Sequence, residues 1–129
     1  MVAVDTNVVV RLVTNDHPAQ ARKAVALFRA GPVFVAKSVL LETEWVLRYS
    51  YGLAAAPIAV ALRALLGLPD VNVEDPPAVA AALTMFEQGL DFADAMHLAS
   101  SGASVRFVTF DAGLVKRASR IARMEVAPV

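Results

Sequence analysis

Short apolar runs alternate with longer stretches of helical periodicity along this chain. Val2 to Val4 form the first run, which stops at Asp5. The stretch TNVVVRLVTND that follows reads as helix, although its run of valines gives poor propensity. His17-Pro18 marks a break, and Pro18 suits a first helical position. PAQARKAVALFRA then sets Ala21, Ala24, Val25 and Phe28 at helical spacing, up to Gly31-Pro32. Val33 to Ala36 predicts a second strand. Ser38 is the expected N-cap of VLLETEWVLRYSY, a helix that Gly52 ends. PIAVALRALLGLPD reads as another helix, closed by Gly67 and Pro69. Val71 to Val73 is a third strand, and Asp75 is the expected cap of a helix opened by Pro76 and Pro77 and ended by Gly89. LDFADAMHLAS gives the next helix, to near Gly102. Arg106 to Thr109 is a fourth strand, Asp111 to about Ala122 a last helix, and Met124 to Val126 a fifth strand.

This alternation predicts an α/β fold: a three-layer α/β/α arrangement with a central parallel sheet of four to five strands and helices on both faces. A single domain over residues 1–129 is expected, with no internal repeat, linker or low-complexity tract. The two helices between the second and third strands resemble an α-hairpin insertion.

Composition sharpens the picture in three ways. Hydrophobic residues make up 57% of the chain and charged residues 19%, so a core forms without disulfide or metal staples. The apolar surplus predicts a further buried surface, in a homo-oligomer or against a partner protein. The absence of cysteine excludes a disulfide framework and a thiolate metal site, and a reducing cytoplasm fits it. The opening MVAVDTN lacks the basic segment of a signal peptide, and the longest apolar run, LAAAPIAVAL, is about half a membrane span. A soluble, cytoplasmic protein is expected. The net charge of zero argues neither for nor against nucleic acid.

Acidic residues carry the candidate chemistry. In an open parallel sheet the C-terminal ends of strands and the N-termini of helices share one rim, where ligands bind. Asp5 directly follows the first strand, and Asp111 follows the fourth after Phe110. Glu42 lies four residues past Ser38, about 6 Å of helical rise, and Asp94 three past Asp91, about 4.5 Å. All four are expected at that rim. Capping is the competing account: Asp91 and Asp111 both suit N-cap positions, with Asp94 backing Asp91 from the third helical position. Asp5 differs, because it interrupts a run of valines, where a solitary buried acid is costly.

Two carboxylates about 5 Å apart repel by roughly 3 kcal/mol at an effective dielectric near 20. A cluster of four therefore needs protons, hydrogen bonds or cations. Helix N-termini supply only about 0.3–1 kcal/mol each. An oxygen-only set of donors suits a hard divalent ion, Mg²⁺ or Mn²⁺, of the kind that also binds phosphate. That points to metal-assisted phosphoryl chemistry.

Asp5-Thr6-Asn7 after the first strand, Glu42 within LLETEWVL, the segment DFADA, and TFD at 109–111 together resemble the PIN-domain ribonucleases, most of all their VapC-like toxin branch. The similarity runs from Val2 to about Ala118. It implies a sheet ordered 3-2-1-4-5 and an acidic quartet, Asp5, Glu42, Asp94 and Asp111, that binds one or two Mg²⁺ or Mn²⁺ ions and hydrolyses RNA. Asp94 precedes Ala95 as the family's third acid precedes a small residue, which leaves Asp91 as an accessory acid or cap. Glu44 rivals Glu42, but Glu42 sits three before Trp45, as the family's glutamate commonly does. Asn7 and Thr109 match polar positions that support the site. The toxin branch implies an RNA substrate, a small antitoxin that blocks the rim, and a homodimer.

The remaining polar residues divide less sharply. Lys116, Arg120 and Arg123 fall at i, i+4 and i+7, with Arg117 beside them, and could guide a phosphate backbone. A solvated helix face accounts for them equally well. His97, three past Asp94, reads as structural, and Trp45, Phe28, Phe34, Phe86 and Phe92 as core or interface. A receiver-like, metal-binding signalling module is a competing class, but the first strand here ends in a single acid and the third leads through Glu74-Asp75 into two prolines. A haloacid-dehalogenase-type phosphatase would need an acid where Asn7 stands. A catalytically silent interaction domain is the remaining alternative.

Overall fold

A computed structural model describes all residues, 1–129. The chain divides into two compact units, Met1–Pro76 and Pro77–Val129.

In the first unit, strand β1 (Val2–Ala3) leads into α1 (Thr6–Thr14) and α2 (Pro18–Ala30), then β2 (Val33–Val35), α3 (Lys37–Tyr49), α4 (Ala55–Leu66) and β3 (Val71–Val73). The three strands are parallel in the order β1-β2-β3. Val2 lies opposite Val33, and Val33, Phe34 and Val35 lie opposite Val71, Asn72 and Val73. The central strand is the apolar one: Val33 and Val35 are fully buried. Helix α1 forms in spite of its valines. Each Val costs about 0.5 kcal/mol of propensity relative to Ala, whereas a fully buried side chain returns about 1.5–3 kcal/mol. Val9 and Val10 are both buried, Asp5 caps the helix, and Asn15 closes it in the left-handed region at φ 54°. Leu40, Leu47, Ile58, Leu62 and Leu65 complete the core of this unit.

Helix α3 begins one residue before the expected cap. Its N-cap is Ala36, which has no side chain to offer, and Ser38 lies inside the first turn. The missing cap comes from far along the chain. Glu74 Oε1, just past β3, accepts the Lys37 N–H at 2.9 Å, and Lys37 Nζ pairs with Asp75 Oδ2 at 2.8 Å. Asp75 stands at the start of the next helix, as expected, with φ 51°.

The second unit holds most of α5 (Pro76–Glu87), then α6 (Phe92–Ser100), β4 (Arg106–Thr109), α7 (Ala112–Ala118) and β5 (Glu125–Pro128). β4 and β5 pair in parallel, Arg106 opposite Glu125 through Thr109 opposite Pro128. Gly89 at φ 111° makes the turn between α5 and α6, a conformation an L side chain resists. Phe86 and Phe92 meet edge to face, with centroids 5.2 Å apart, in a core shared with Val79, Leu83, Leu90, Met96, Leu98 and Leu114.

Two expectations are corrected here. The strands form a three-stranded and a two-stranded sheet, not one sheet ordered 3-2-1-4-5. β1 pairs only two residues, with β2, before Asp5 turns the chain into α1, while β4 gives its whole ladder to β5. The last helix stops at Ala118 rather than near Ala122. The Ser119 hydroxyl donates to the Lys116 carbonyl at 2.8 Å, and the Ile121 N–H goes to Ala118, three back instead of four. Serine competes with the helix ladder in this way. No helix is long and apolar enough to cross a membrane.

Candidate metal-facing acids

Asp5 occupies the N-cap of α1. Its Oδ1 accepts the N–H groups of Asn7 at 3.1 Å and Val8 at 3.4 Å, and its Oδ2 takes no hydrogen bond. The residue is exposed, so no buried lone acid arises. Asp111 repeats the arrangement at α7. Its Oδ1 accepts from Leu114 N–H at 3.0 Å, and its own N–H donates to Thr109 Oγ1 at 3.0 Å. Capping and metal binding stood as rival accounts of Asp111 in the sequence, whereas Asp5 was set apart as a lone acid among valines. The geometry makes the two roles compatible, because the cap uses one oxygen of each carboxylate and leaves the other without a hydrogen bond.

At α6 the two roles fall on different residues. Asp91 is the N-cap, its Oδ2 accepting the Asp94 N–H at 3.3 Å. Asp94 lies in the first turn with its carboxylate half-buried. Burial pushes the Asp94 carboxyl above its usual range, and the charges of Asp91 and Asp111 add to this, against opposing pulls from His97 and Arg117. Asp91, Asp94, Asp111 and Arg117 are therefore within electrostatic reach of one another in the second unit.

Gly113 explains how Arg117 comes to be there. A Cβ on this glycine would stand 3.0 Å from Arg117 Nη1 and 3.2 Å from Asp111 Oδ1. The missing side chain lets the guanidinium fold back over the start of α7 towards Asp111. The sequence offered no signal for this role of Gly113. Of the other basic candidates, Lys116 is exposed in the last turn of α7, whereas Arg120 and Arg123 lie past its end. The expected helical stripe of cations is thus cut after Arg117, because α7 is only seven residues long.

In the first unit, Glu42 is exposed on α3, a helix that packs against α1. Its rival Glu44 is turned inward, with its side chain 3% exposed and paired to Arg48 at 2.8 Å one turn on. That geometry keeps Glu42 and removes Glu44 from the candidates facing solvent. Asn7 is exposed and helps line a cavity of about 270 Å³ with Arg11, Gln20 and Lys23. A cavity of about 700 Å³ in the second unit contains none of the four acids. Within neither unit do three Asp, Glu or His side chains gather closely enough to hold one ion.

The sequence pattern of the PIN domain matches residues 2–121. The chain belongs to the PIN-domain family. Members of this family are generally metal-dependent nucleases, so a hydrolytic, metal-using nuclease is the class to which this PIN domain belongs. No curated protein matches the chain. The donors present fit a divalent ion of the hard type: they are carboxylate oxygens, there is no cysteine, and two of the acids hold one oxygen free.

Of the two readings open for Trp45, core or interface, its exposure of 55% excludes the core. Phe92 and Phe86 are buried as expected.

Proposed function

We propose that this PIN domain is an endoribonuclease dependent on Mg²⁺ or Mn²⁺, of the VapC-like toxin type, with Asp5, Glu42, Asp94 and Asp111 as its metal-facing acids. The observation that carries the reading is the one-oxygen capping of Asp5 and Asp111. Each carboxylate is fixed by its own helix and still has a donor to spare.

Asp94 and Asp111 in the second unit, and Asp5 and Glu42 in the first, are the acids that would take a divalent ion or position the attacking water. When bound, such an ion activates water and stabilises charge on the scissile phosphate. The chain's own residues do the rest. The backbone N–H groups of Asn7, Val8 and Leu114 lock two carboxylates in one orientation, and the Thr109 hydroxyl holds the Asp111 backbone. Partial burial and the charges of Asp91 and Asp111 raise the Asp94 carboxyl above its usual range, and a bound cation would favour its ionised form. Arg117, folded over Gly113, offers a guanidinium to a phosphate oxygen. Water oxygen bonds to phosphorus, the P–O3′ bond breaks, and the proton passes to the leaving oxygen. The products are a 5′-phosphate and a 3′-hydroxyl, with no covalent enzyme intermediate.

The toxin reading brings partners with it: a small antitoxin that covers the acids, and a second copy of the chain in a homodimer. The resemblance of DTN, LLETEWVL, DFADA and TFD to the toxin branch supports this, as does the 57% hydrophobic composition. A short reading frame immediately upstream, encoding a DNA-binding fold with a polar tail, is the expected genetic neighbour. The test of activity is cleavage mapping on total RNA with wild type beside Asp5→Asn. Discrete cuts that need Mg²⁺ or Mn²⁺ and vanish in the variant are expected. Intact RNA in both ions, with folded protein, overturns the reading.

A further inference from the structure

The last turn of α1 carries a hydrogen-bonded group that lies apart from the four acids. Arg11 donates from Nε to Gln20 Oε1 at 2.7 Å, and from Nη1 to Asp16 Oδ1 at 3.2 Å and Tyr51 Oη at 3.1 Å. The Tyr51 hydroxyl donates in turn to Asp16 Oδ2 at 2.5 Å, which closes a ring of three side chains. That bond, first among several causes, holds the Asp16 carboxyl below its usual range. Backbone turns bring the partners together. Asn15, left-handed at φ 54°, turns the chain just before Asp16, and Gly52 at φ 66° turns it just after Tyr51. One guanidinium thus joins the end of α1, the start of α2 and the segment that follows α3.

Such a group adds little to stability. The Arg11 and Asp16 side chains are 28% and 45% exposed, and exposed ion pairs are worth little. What it supplies is direction. Helices α1 and α3 pack together, and both bury aliphatic side chains: Val9 and Val10 on α1, Leu40 and Leu47 on α3. Apolar burial has no preferred direction. A planar guanidinium with its donors in a rigid fork does, so it fixes how the end of α1 lies against the end of α3.

Each of these helices carries a candidate acid. Asp5 is the N-cap of α1 and moves with that helix, and Glu42 moves with α3. Arg11 lies six residues from Asp5, about 9 Å of helical rise. A swing of α1 by about 6° about its Arg11 end therefore displaces Asp5 by about 1 Å. A misplacement of about 1 Å can cost about 100-fold in rate.

We propose that Arg11, Asp16 and Tyr51 are positioning residues, whose ring latches α1 to the end of α3 and so fixes the separation of Asp5 from Glu42. This deepens the nuclease reading above and rests on it. The three act through the two carboxylates and not on the substrate.

The chain has no cysteine, so a nitroxide pair can be attached without background. Asn7→Cys and Ser38→Cys, at exposed positions near the starts of α1 and α3, carry the labels in metal-free protein. Their separation is read by electron paramagnetic resonance, with and without Tyr51→Phe, Arg11→Lys or Asp16→Ala. Tyr51→Phe deletes one oxygen, and Arg11→Lys keeps the charge but loses the fork. The variants should melt within about 5 °C of wild type. The nitroxide separation should shift or broaden by about 1 Å or more. In chains without labels, kcat for RNA cleavage in Mn²⁺ should fall about 10- to 100-fold, with KM within about 2-fold of wild type.

An unchanged separation in the variants overturns the proposal. So does a shifted separation with kcat unchanged, which makes the ring a structural tie alone. Where Asp16→Ala or Arg11→Lys fails to fold, Tyr51→Phe decides. If wild type leaves RNA intact in Mg²⁺ and Mn²⁺, the nuclease reading falls, and the nitroxide separation by itself decides whether the ring holds α1 in place.

Discussion

Replacing Asp91 by alanine removes the cap of α6 and leaves Asp94 in place, which separates the two carboxylates of DFADA by role. The bond lost is Asp94 N–H to Asp91 Oδ2 at 3.3 Å, at the long end for an N–H···O contact. The backbone bond from Ala95 N–H to the Asp91 carbonyl, 2.9 Å, survives the substitution. Loss of an N-cap costs about 0.5–2 kcal/mol, and the long bond sets this one in the lower half, about 0.5–1 kcal/mol. For a chain of this size that lowers Tm by about 2–5 °C. Asp91→Asn keeps an oxygen to accept the bond and drops the charge that disfavours ionised Asp94, so its Tm should equal or exceed wild type. Thermal melts by circular dichroism at neutral pH in EDTA read the stability, and RNA cleavage in Mn²⁺ reads the chemistry. Asp91→Asn should keep most of its cleavage activity, whereas Asp94→Asn should lose roughly 100-fold or more, the several kcal/mol that a metal-facing acid supports. The reasoning fails if Asp91→Asn inactivates as fully as Asp94→Asn, or if Asp91→Ala melts above wild type.

Three further outcomes are expected. Asp94 titrates above its ordinary 3.8 in the folded chain, so its contribution to stability is complete below that value and is lost as pH rises through the folded pKa. Asp94→Asn should therefore raise Tm at neutral pH in EDTA, with the gap closing in acid, and Mn²⁺ should stabilise wild type more than the variant; a variant that melts below wild type in EDTA contradicts this. Phe92→Ala removes a side chain 1% exposed that also meets Phe86 edge to face, and should cost about 3–5 kcal/mol in urea unfolding; a loss under about 1 kcal/mol would mean that the start of α6 is not anchored by this ring. Glu74→Ala strips α3 of the only side-chain acceptor at its first N–H and should cost about 0.5–2 kcal/mol, with Glu74→Gln close to wild type; equal melting of all three would show that the cap contributes nothing.

The alternation of short valine-rich strands with periodic helices was readable along the chain, because strand and helix periods are local properties of sequence. β3 and β4 have the bounds expected, and Pro18, Gly52 and Gly89 mark boundaries through backbone constraints that need no tertiary context. Asp5, Asp94 and Asp111 were legible as acids at the starts of helices, and Glu42 lies in the middle of α3. What the local pattern could not contain was the use made of each oxygen. Asp111 looked like a cap or a ligand in the sequence and Asp5 like a lone acid among valines, and only side-chain geometry showed each to be a cap with one oxygen to spare. The cap of α3 was misread because its acceptor, Glu74, comes from 37 residues away. Core and interface both stood open for Trp45 in the sequence, and the helix phase that Leu40 and Leu47 impose turned it outward on the face of Glu42. The division of the strands into two sheets was equally beyond the sequence, since pairing depends on which edges meet, and two residues of β1 carry too few backbone groups to announce a partner. Sequence by itself determined the elements and where the acids fall along them, because both follow from residues near one another in the chain. Tertiary structure alone decided the cap of α3, facing and pairing, because those contacts join groups that the chain order keeps apart.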